Sequence, residues 1–410
     1  MITRRSLLED HLLSEREQKN LVILELIRRS GPITRTEISQ GTNLNIVTVS
    51  NYVSHYIERE LVMERGFSIS TGGRKPTLVE LNPEAAYAIG VDLGTLELPK
   101  VQERVLLLDL AGRVKDEVVQ TRSKENLEHV LQRTGPLIQA LLDRTGVERA
   151  RIHGIGIGIG AVVDETAGTL RDVLPGGERV SYTATRDDLE ERFKLPVVIA
   201  NDASVAALGE LRFGLTKEVK NVIYMYADAG CGIVIHGTLY WGACGSAGEV
   251  ELNYPTGNDY LSWMGKTPFF VAQGVDLGIP ARARKLLDEG HDTRLRDLCG
   301  NRPDTVTLEM VMQAGRDGDA LARELIEHAA TTLGVRVSQL VNLLNPEVVV
   351  IGGGVERAGA LLMEPLARTV RRWAFEEPAS HVNLVPAQLG DRAVALGAAS
   401  LISRQTFLQA

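Results

Sequence analysis

Leu195-Pro196-Val197-Val198-Ile199-Ala200-Asn201-Asp202-Ala203-Ser204-Val205-Ala206-Ala207-Leu208-Gly209-Glu210 is the stretch on which the fold turns. Val197 to Ala200 has the length and β-branching of a buried strand, and residues 203–212 read as a helix. Asn201-Asp202 makes the corner, where Asp202 can cap the helix that begins at Ala203. Residues 348–358 repeat the theme, with a strand, a Gly352-Gly353-Gly354 turn and a helix. Further strand-like runs occupy residues 88–94, 152–160 and 222–237, and helix-like runs occupy 126–142 and 320–344, an α/β alternation. A strand with a tight glycine turn and hairpin appears at 89–108 and again at 222–234. Two similar halves facing each other leave a cleft between them.

At 410 residues the chain is too long for one ordinary core. Its 44% hydrophobic and 24% charged residues fit a folded globular protein and exclude wholesale disorder. The longest apolar runs are far shorter than the roughly 20 residues a spanning helix needs, and residues 1–20 are polar without a secretory pattern. A cytoplasmic location is expected. Cys231, Cys244 and Cys299 are odd in number and lack CxxC spacing, so they are expected to be small buried or half-buried residues rather than a disulfide framework or a thiolate metal site.

The charge is unevenly spread. The net charge is −8, but residues 1–80 carry 11 Lys and Arg against 10 Asp and Glu, and the remainder carries 34 against 43. That N-terminal segment reads as helix, helix, turn, helix and hairpin. Residues 17–29 place Leu24 and Ile27 on one face and stop at Gly31-Pro32. Thr34-Arg35-Thr36-Glu37 has capping-box spacing and predicts a helix to about Gln40. After a turn at residues 41–43, Asn45 caps a third helix with apolar Val49, Val53, Ile57 and Leu61, and with Thr48, Asn51, Ser54 and His55 on the other side. Strands at 62–65 and 77–81 flank a Gly72-Gly73-Arg74-Lys75-Pro76 tip.

This order is that of a winged helix-turn-helix, in which the second helix of the pair enters the major groove and its first turns meet base edges. Asn45, Thr48, Ser50, Asn51 and His55 are the candidate DNA contacts on that helix. Asn can bond adenine through two hydrogen bonds, and Ser or Thr can serve bases or phosphates. Arg74 and Lys75 on a narrow tip suit the minor groove of A/T-rich DNA. The competing reading is a winged helix that binds protein.

The whole chain resembles the ROK family of repressors, open reading frames and sugar kinases. The resemblance rests on TRTEISQGTNLNIVTVSNYV (34–53), GFSISTGGRKPTLVELNPEAAYAIGVDLG (66–94), IGIGIGAVVD (155–164), LPVVIANDASVAALGELRFG (195–214), GTLYWGACGSAGEVEL (237–252), PEVVVIGGGVERAG (346–359) and LGDRAVALGAASLI (389–402). It implies an actin-like ATPase (ribonuclease H-like) fold, duplicated and preceded by the winged helix. The expected domains are residues 1–82 and 83–410, the second divided into about 83–203 plus the C-terminal helix, and 204–390. It also implies that Asn201 holds a sugar, that Asp202 stands where the kinases keep their base, and that Glu249 contacts sugar hydroxyls. Gly160 completes the effector-binding set.

Departures from the kinase pattern are equally specific. The family's Gly-Glu-Ile-Gly-His motif reads Gly248-Glu249-Val250-Glu251-Leu252, so the histidine is gone, and the cysteine-rich zinc loop is absent from residues 253–265. No metal is expected. The first phosphate loop reads Asp92-Leu93-Gly94-Thr95-Leu96-Glu97, with one glycine. The second reads Tyr226-Ala227-Asp228-Ala229-Gly230, placing Asp228 where backbone would approach phosphate. No cofactor is expected. The resulting expectation is a dimeric or tetrameric regulator, a repressor of sugar uptake or catabolism genes, that binds operator DNA and a sugar or sugar derivative. Two alternatives stand beside it: an ATP-dependent sugar kinase with an accessory DNA-binding domain, and a C-terminal domain serving only for dimerisation.

Overall fold

The computed structural model describes residues 13–67, 76–95, 100–172, 179–216, 218–227, 230–250 and 276–410. Helix α1 (Glu15–Ser30) begins at a Ser14–Glu17 capping box. Strand β1 (Ile33–Thr34) leads into α2 (Arg35–Thr42), whose Thr34–Glu37 capping box is the one expected. That helix runs past Gly41 to end on Asn43 in the left-handed region, two residues beyond the Gln40 expected. Helix α3 (Ile46–Glu58) starts on Asn45, which accepts from the Val47 N–H at 2.8 Å. It stops short of Leu61, which lies past its end and is nonetheless buried.

Strands β2 (Val62–Phe67) and β3 (Thr77–Leu81) form a hairpin to which β1 adds a third strand, in the order β1-β3-β2. Ile23, Leu24, Ile27, Ile38, Val49, Val53 and Tyr56 pack under it as one apolar cluster. The wing tip, with Arg74 and Lys75, lies outside the described residues.

Next come β4 (Tyr87–Thr95), β5 (Lys100–Asp109), β6 (Val114–Ser123), α4 (Leu127–Thr145) and β7 (Ile152–Gly160). A small sheet of β8 (Val162–Asp164), β9 (Thr169–Arg171) and β10 (Arg179–Ser181) precedes α5 (Thr183–Phe193), β11 (Val197–Asn201) and α6 (Asp202–Gly209). The second half holds β12 (Val222–Tyr226), β13 (Gly230–Ile235), β14 (Thr238–Leu239), α7 (Ile279–Asp288), α8 (Leu295–Leu298), α9 (Leu308–Arg316) and α10 (Ala320–Leu344). It ends with β15 (Val348–Gly352), α11 (Ala360–Trp373), α12 (Glu376–His381), β16 (Asn383–Pro386) and α13 (Ala393–Leu408).

The duplication is explicit in the sheets. One runs β6-β5-β4-β7-β11 and the other β14-β13-β12-β15-β16. In each, the central strand pairs antiparallel with its hairpin partner and parallel with the next strand, as β4 does with β5 and β7, and β12 with β13 and β15. The 222–234 run forms the hairpin expected of it. Helices α4 and α5 cover the outer face of the first sheet, and α7, α9, α10 and α11 that of the second. Between the sheets lie α6 and α13, in a single cluster that includes Ala88, Leu106, Val205, Tyr224 and Leu396.

Glycine permits that sandwich. A Cβ at Gly156 of β7 would stand 2.0 Å from the Ala398 carbonyl, and one at Gly397 of α13 would stand 1.7 Å from the Val205 carbonyl. Among the described residues no helix is long and apolar enough to cross a membrane.

Candidate functional site: the inter-lobe cleft and the winged helix

The β11–α6 corner gathers three of the four expected effector residues. Asn201, not Asp202, caps α6: its Oδ1 accepts from the Ser204 N–H at 3.1 Å, while its Nδ2 donates to the Ala161 carbonyl at 3.2 Å. The physical reason for this correction is the second bond, which ties the Asn201 amide to the chain after β7 and holds it at the cap. Asp202 becomes the first residue of the helix, buried, where the partial positive charge of the N-terminus favours its carboxylate. Gly160 closes the corner: a side chain there would put a Cβ 3.2 Å from Asp202 Oδ2 and 3.0 Å from the Thr95 Cα.

Glu249 sits on a separate support. The Cys231 N–H of β13 donates to the Gly248 carbonyl at 2.9 Å, and an Arg336 guanidinium N–H donates to the Val250 carbonyl. The next residue of β13, Gly232, lies against Ala203, since a Cβ there would come 2.3 Å from the Ala203 carbonyl. The half-buried Glu249 is thus anchored to the strand on which the first turn of α6 rests. Burial, with the Glu249 charge adding to it, pushes the Cys231 thiol up to about 12, which leaves it inert. Cys299 is also buried and Cys244 half-buried.

The adjoining part of the cleft is a cavity of about 350 Å³ lined by Asp92, Arg104, Tyr226, Glu309, Arg357 and Asp391 among others. Asp92 accepts from the Gly94 N–H at 2.7 Å, yet burial pushes its carboxyl up to about 7, with Asp202 and Asp391 acting in the same direction. The arginines are already engaged. Arg104 pairs with Glu117, which also receives Arg392 at 2.6 Å, and Arg357 pairs with Asp391. Asp228 of the second phosphate loop and Glu97 of the first fall outside the described residues, as does the 253–265 stretch that lacks the zinc loop. Among the described residues no group of three or more His, Cys, Asp or Glu is placed to hold a metal ion.

On α3, Asn51 is exposed, and Thr48 and Ser50 are half-buried. Asn45, itself exposed, spends its side-chain oxygen on the cap. His55 departs from the solvent face assigned to it. Its Nε2 is buried with no hydrogen-bond partner among the described residues, and its ring leans on Tyr56 at 6.4 Å. Sequence reading passed over Ile46 and Val47, which stand exposed in the first turn.

The winged helix is not a free appendage. Buried Asn20 of α1 donates to the carbonyls of Leu408 at 3.2 Å and Ala410 at 2.8 Å, and accepts from the Tyr56 hydroxyl at 2.8 Å. Arg59 donates to the Gln409 carbonyl at 2.8 Å, and Phe407 and Ala410 enter the winged-helix core. Glu25 of α1 is ion-paired with Arg212, just past α6, and with Arg28 at 2.7 Å. Arg212 also donates to the Ser400 carbonyl of α13 at 2.6 Å. Burial alone would raise the Glu25 carboxyl, but Arg212, Arg28 and Arg29 outweigh it and hold it below the usual range. Burial lowers Arg212 to about 10. Apart from Glu25 and Arg28, the two partners of each contact lie 36 or more positions apart in sequence, and sequence reading missed Asn20, Glu25 and Arg212.

Known proteins match this chain across nearly its whole length. The ROK family profile matches residues 88–259 and 281–405. A xylose repressor of Caldicellulosiruptor bescii is 30% identical over 399 residues, 96% of this chain and 97% of that one. The DNA-binding transcriptional dual regulator NagC of Escherichia coli is 25% identical over 394 residues, 95% and 93% of the two chains. A crystallised ROK family transcriptional regulator, a homologue of the E. coli MLC protein, shares the fold at TM-score 0.72 and 21% identity, covering 96% of this chain and 97% of its own. A ROK family glucokinase from Streptomyces griseus, solved with glucose and AMPPNP, shares it at TM-score 0.62 and 24% identity, over 77% of this chain and 99% of its own.

Proposed function

Because the chain belongs to the ROK family, we propose that it is a DNA-binding transcription regulator, a repressor of sugar uptake or catabolism genes that a sugar or sugar derivative releases from its operator. One observation carries this reading: two packed helices run from the cleft to the winged helix. Helix α6 starts at Asp202 and is followed by Arg212, paired with Glu25. Helix α13 starts at Ala393 and Val394, which line the cavity, and ends at Phe407 in the winged-helix core. Sixteen residues at 1.5 Å each span about 24 Å.

A ligand held by Asn201, Asp202, Gly160 and Glu249 would bias the angle between the sheets that sandwich these helices, and therefore the pose of the docked winged helix. Differential affinity for two such poses is what regulation requires. The DNA surface is Asn45, Thr48, Ser50 and Asn51 of α3, with Arg74 and Lys75 of the wing. A palindromic operator needs two winged helices at fixed spacing, so the working form is at least a dimer.

The kinase reading is disfavoured by charge. Phosphoryl transfer needs free cations and close backbone around phosphate, whereas the cavity sets Asp92, Glu309 and Asp391 against a single lysine, Lys100, with Arg104 and Arg357 already paired. The test is selection of binding duplexes from a random-sequence pool, followed by titration with xylose, glucose and N-acetylglucosamine, each with and without a phosphate group. Release by one sugar, abolished in Asp202→Asn, supports the proposal. Sugar-dependent ATP turnover lost in the same variant overturns it.

A further inference from the structure

The first turn of α3 carries an oddity that the cleft does not explain. Its buried face is complete with Val49, Val53 and Tyr56, yet Ile46 and Val47 are left 42% and 64% exposed. Valine and isoleucine are poorer helix formers than alanine, and water offers their methyl groups nothing. They stand in the turn of the helix that a helix-turn-helix presents to base edges. The apolar group on a base edge in the major groove is the thymine 5-methyl.

We propose that Ile46 and Val47 read thymine methyl groups in the operator, making them specificity-determining residues of this chain. The inference rests on the DNA-binding reading above. Both side chains are β-branched and stiff at χ1, so they meet a methyl group with little entropy left to lose. Val47 and Asn51 are one turn apart on the same face, about 6 Å along the helix. With base pairs about 3.4 Å apart, the thymine under Val47 lies within two base pairs of the base that Asn51 meets. Each half-site therefore contains a thymine beside an Asn-read position, in a context the wing's arginine also favours when A/T-rich.

The test uses the full chain and duplexes recovered from a random-sequence pool, in which each thymine is replaced singly by uracil. Uracil keeps the base pair and removes only the methyl. At one or two positions per half-site, uracil should weaken the wild-type protein about four-fold, and that sensitivity should vanish in Val47→Ala or Ile46→Ala. Val22→Ala, an exposed apolar residue on α1, should retain it. Uracil without effect on the wild type at every position, or an effect that survives both alanine variants, overturns the proposal while leaving DNA binding intact. Recovery of no duplex at all fails the DNA-binding reading itself, and this inference with it.

Discussion

Replacing Glu25 with Gln should loosen the docking of the winged helix before it unfolds the sheets. The Glu25 carboxylate meets Arg28 at 2.7 Å and the Arg212 guanidinium, whose side chain is 8% exposed. Removing one partner of a buried pair costs about 3–5 kcal/mol, because the other charge is left desolvated and alone. Arg212 keeps its 2.6 Å bond to the Ser400 carbonyl, and Gln keeps one acceptor, so the lower end, about 3 kcal/mol, is expected.

The rest of the docking surface includes five hydrogen bonds from Arg16, Asn20, Arg28 and Arg59, about 1 kcal/mol each, the Arg28 guanidinium over the Phe213 ring, and the apolar contacts of Phe407, Ala410 and Leu110. These contacts outweigh the loss, so the winged helix stays docked in most molecules but opens far more often. Native-state hydrogen exchange reads it: amides of α1 should lose about two orders of magnitude of protection, while those of β4 and β7 should not change. Arg212→Met added to Glu25→Gln should recover part of the loss, since the Arg212 charge is removed with its partner and only Arg28 is left without the carboxylate. Protection unchanged in α1, or lost equally in β4 and β7, refutes the claim that this pair fastens the two parts together.

Three further outcomes follow from single sites. Gly397→Ala would place a methyl 1.7 Å from the Val205 carbonyl, so the urea unfolding free energy should fall by about 3 kcal/mol; a loss near zero would mean α6 and α13 are not in close contact. Asn45→Ala removes the cap of α3 and should cost about 1 kcal/mol of stability, together with operator affinity, both measurable by urea titration and gel shift. Asp92, held near pH 7 by burial against an ordinary 3.8, keeps in the folded state a proton that the unfolded chain releases. Its contribution to stability is thus favourable at low pH and is lost as pH rises from about 4 to 7. Asp92→Asn should gain on the wild type across that window, by up to about 4 kcal/mol; a difference that does not vary with pH would refute it.

The parts of the molecule legible in the sequence are those governed by local chemistry. The Thr34–Glu37 box and the Asn45 cap are contacts within three residues, and both form as read. Glycine misled where it was read as a stop: α2 passes through Gly41 because Asn43, at φ 56°, supplies the left-handed end. The one-residue error at Asn201-Asp202 arose because the deciding partner, the Ala161 carbonyl, is 40 positions away. The alternating Ile155–Gly160 run hid its meaning for a similar reason. Its glycine at 156 exists to admit α13, a helix more than 200 residues downstream.

The relation between the two functional regions was not legible at all, and the physics says why. A partly buried charge pair such as Glu25 and Arg212, separated by 187 positions, leaves no periodicity or composition for a reader to find; each residue alone looks like an ordinary surface charge. What the fold adds is economy of connection. The cleft corner needs α6 to present Asp202, the sandwich needs α13 to fill the space between sheets, and the same two helices end at the winged helix. Moving the cleft without moving the winged helix would require breaking the Gly397–Val205 contact, the Glu25–Arg212 pair or the Asn20 and Arg59 bonds to the end of α13, and the predictions above put their substitutions at the first two.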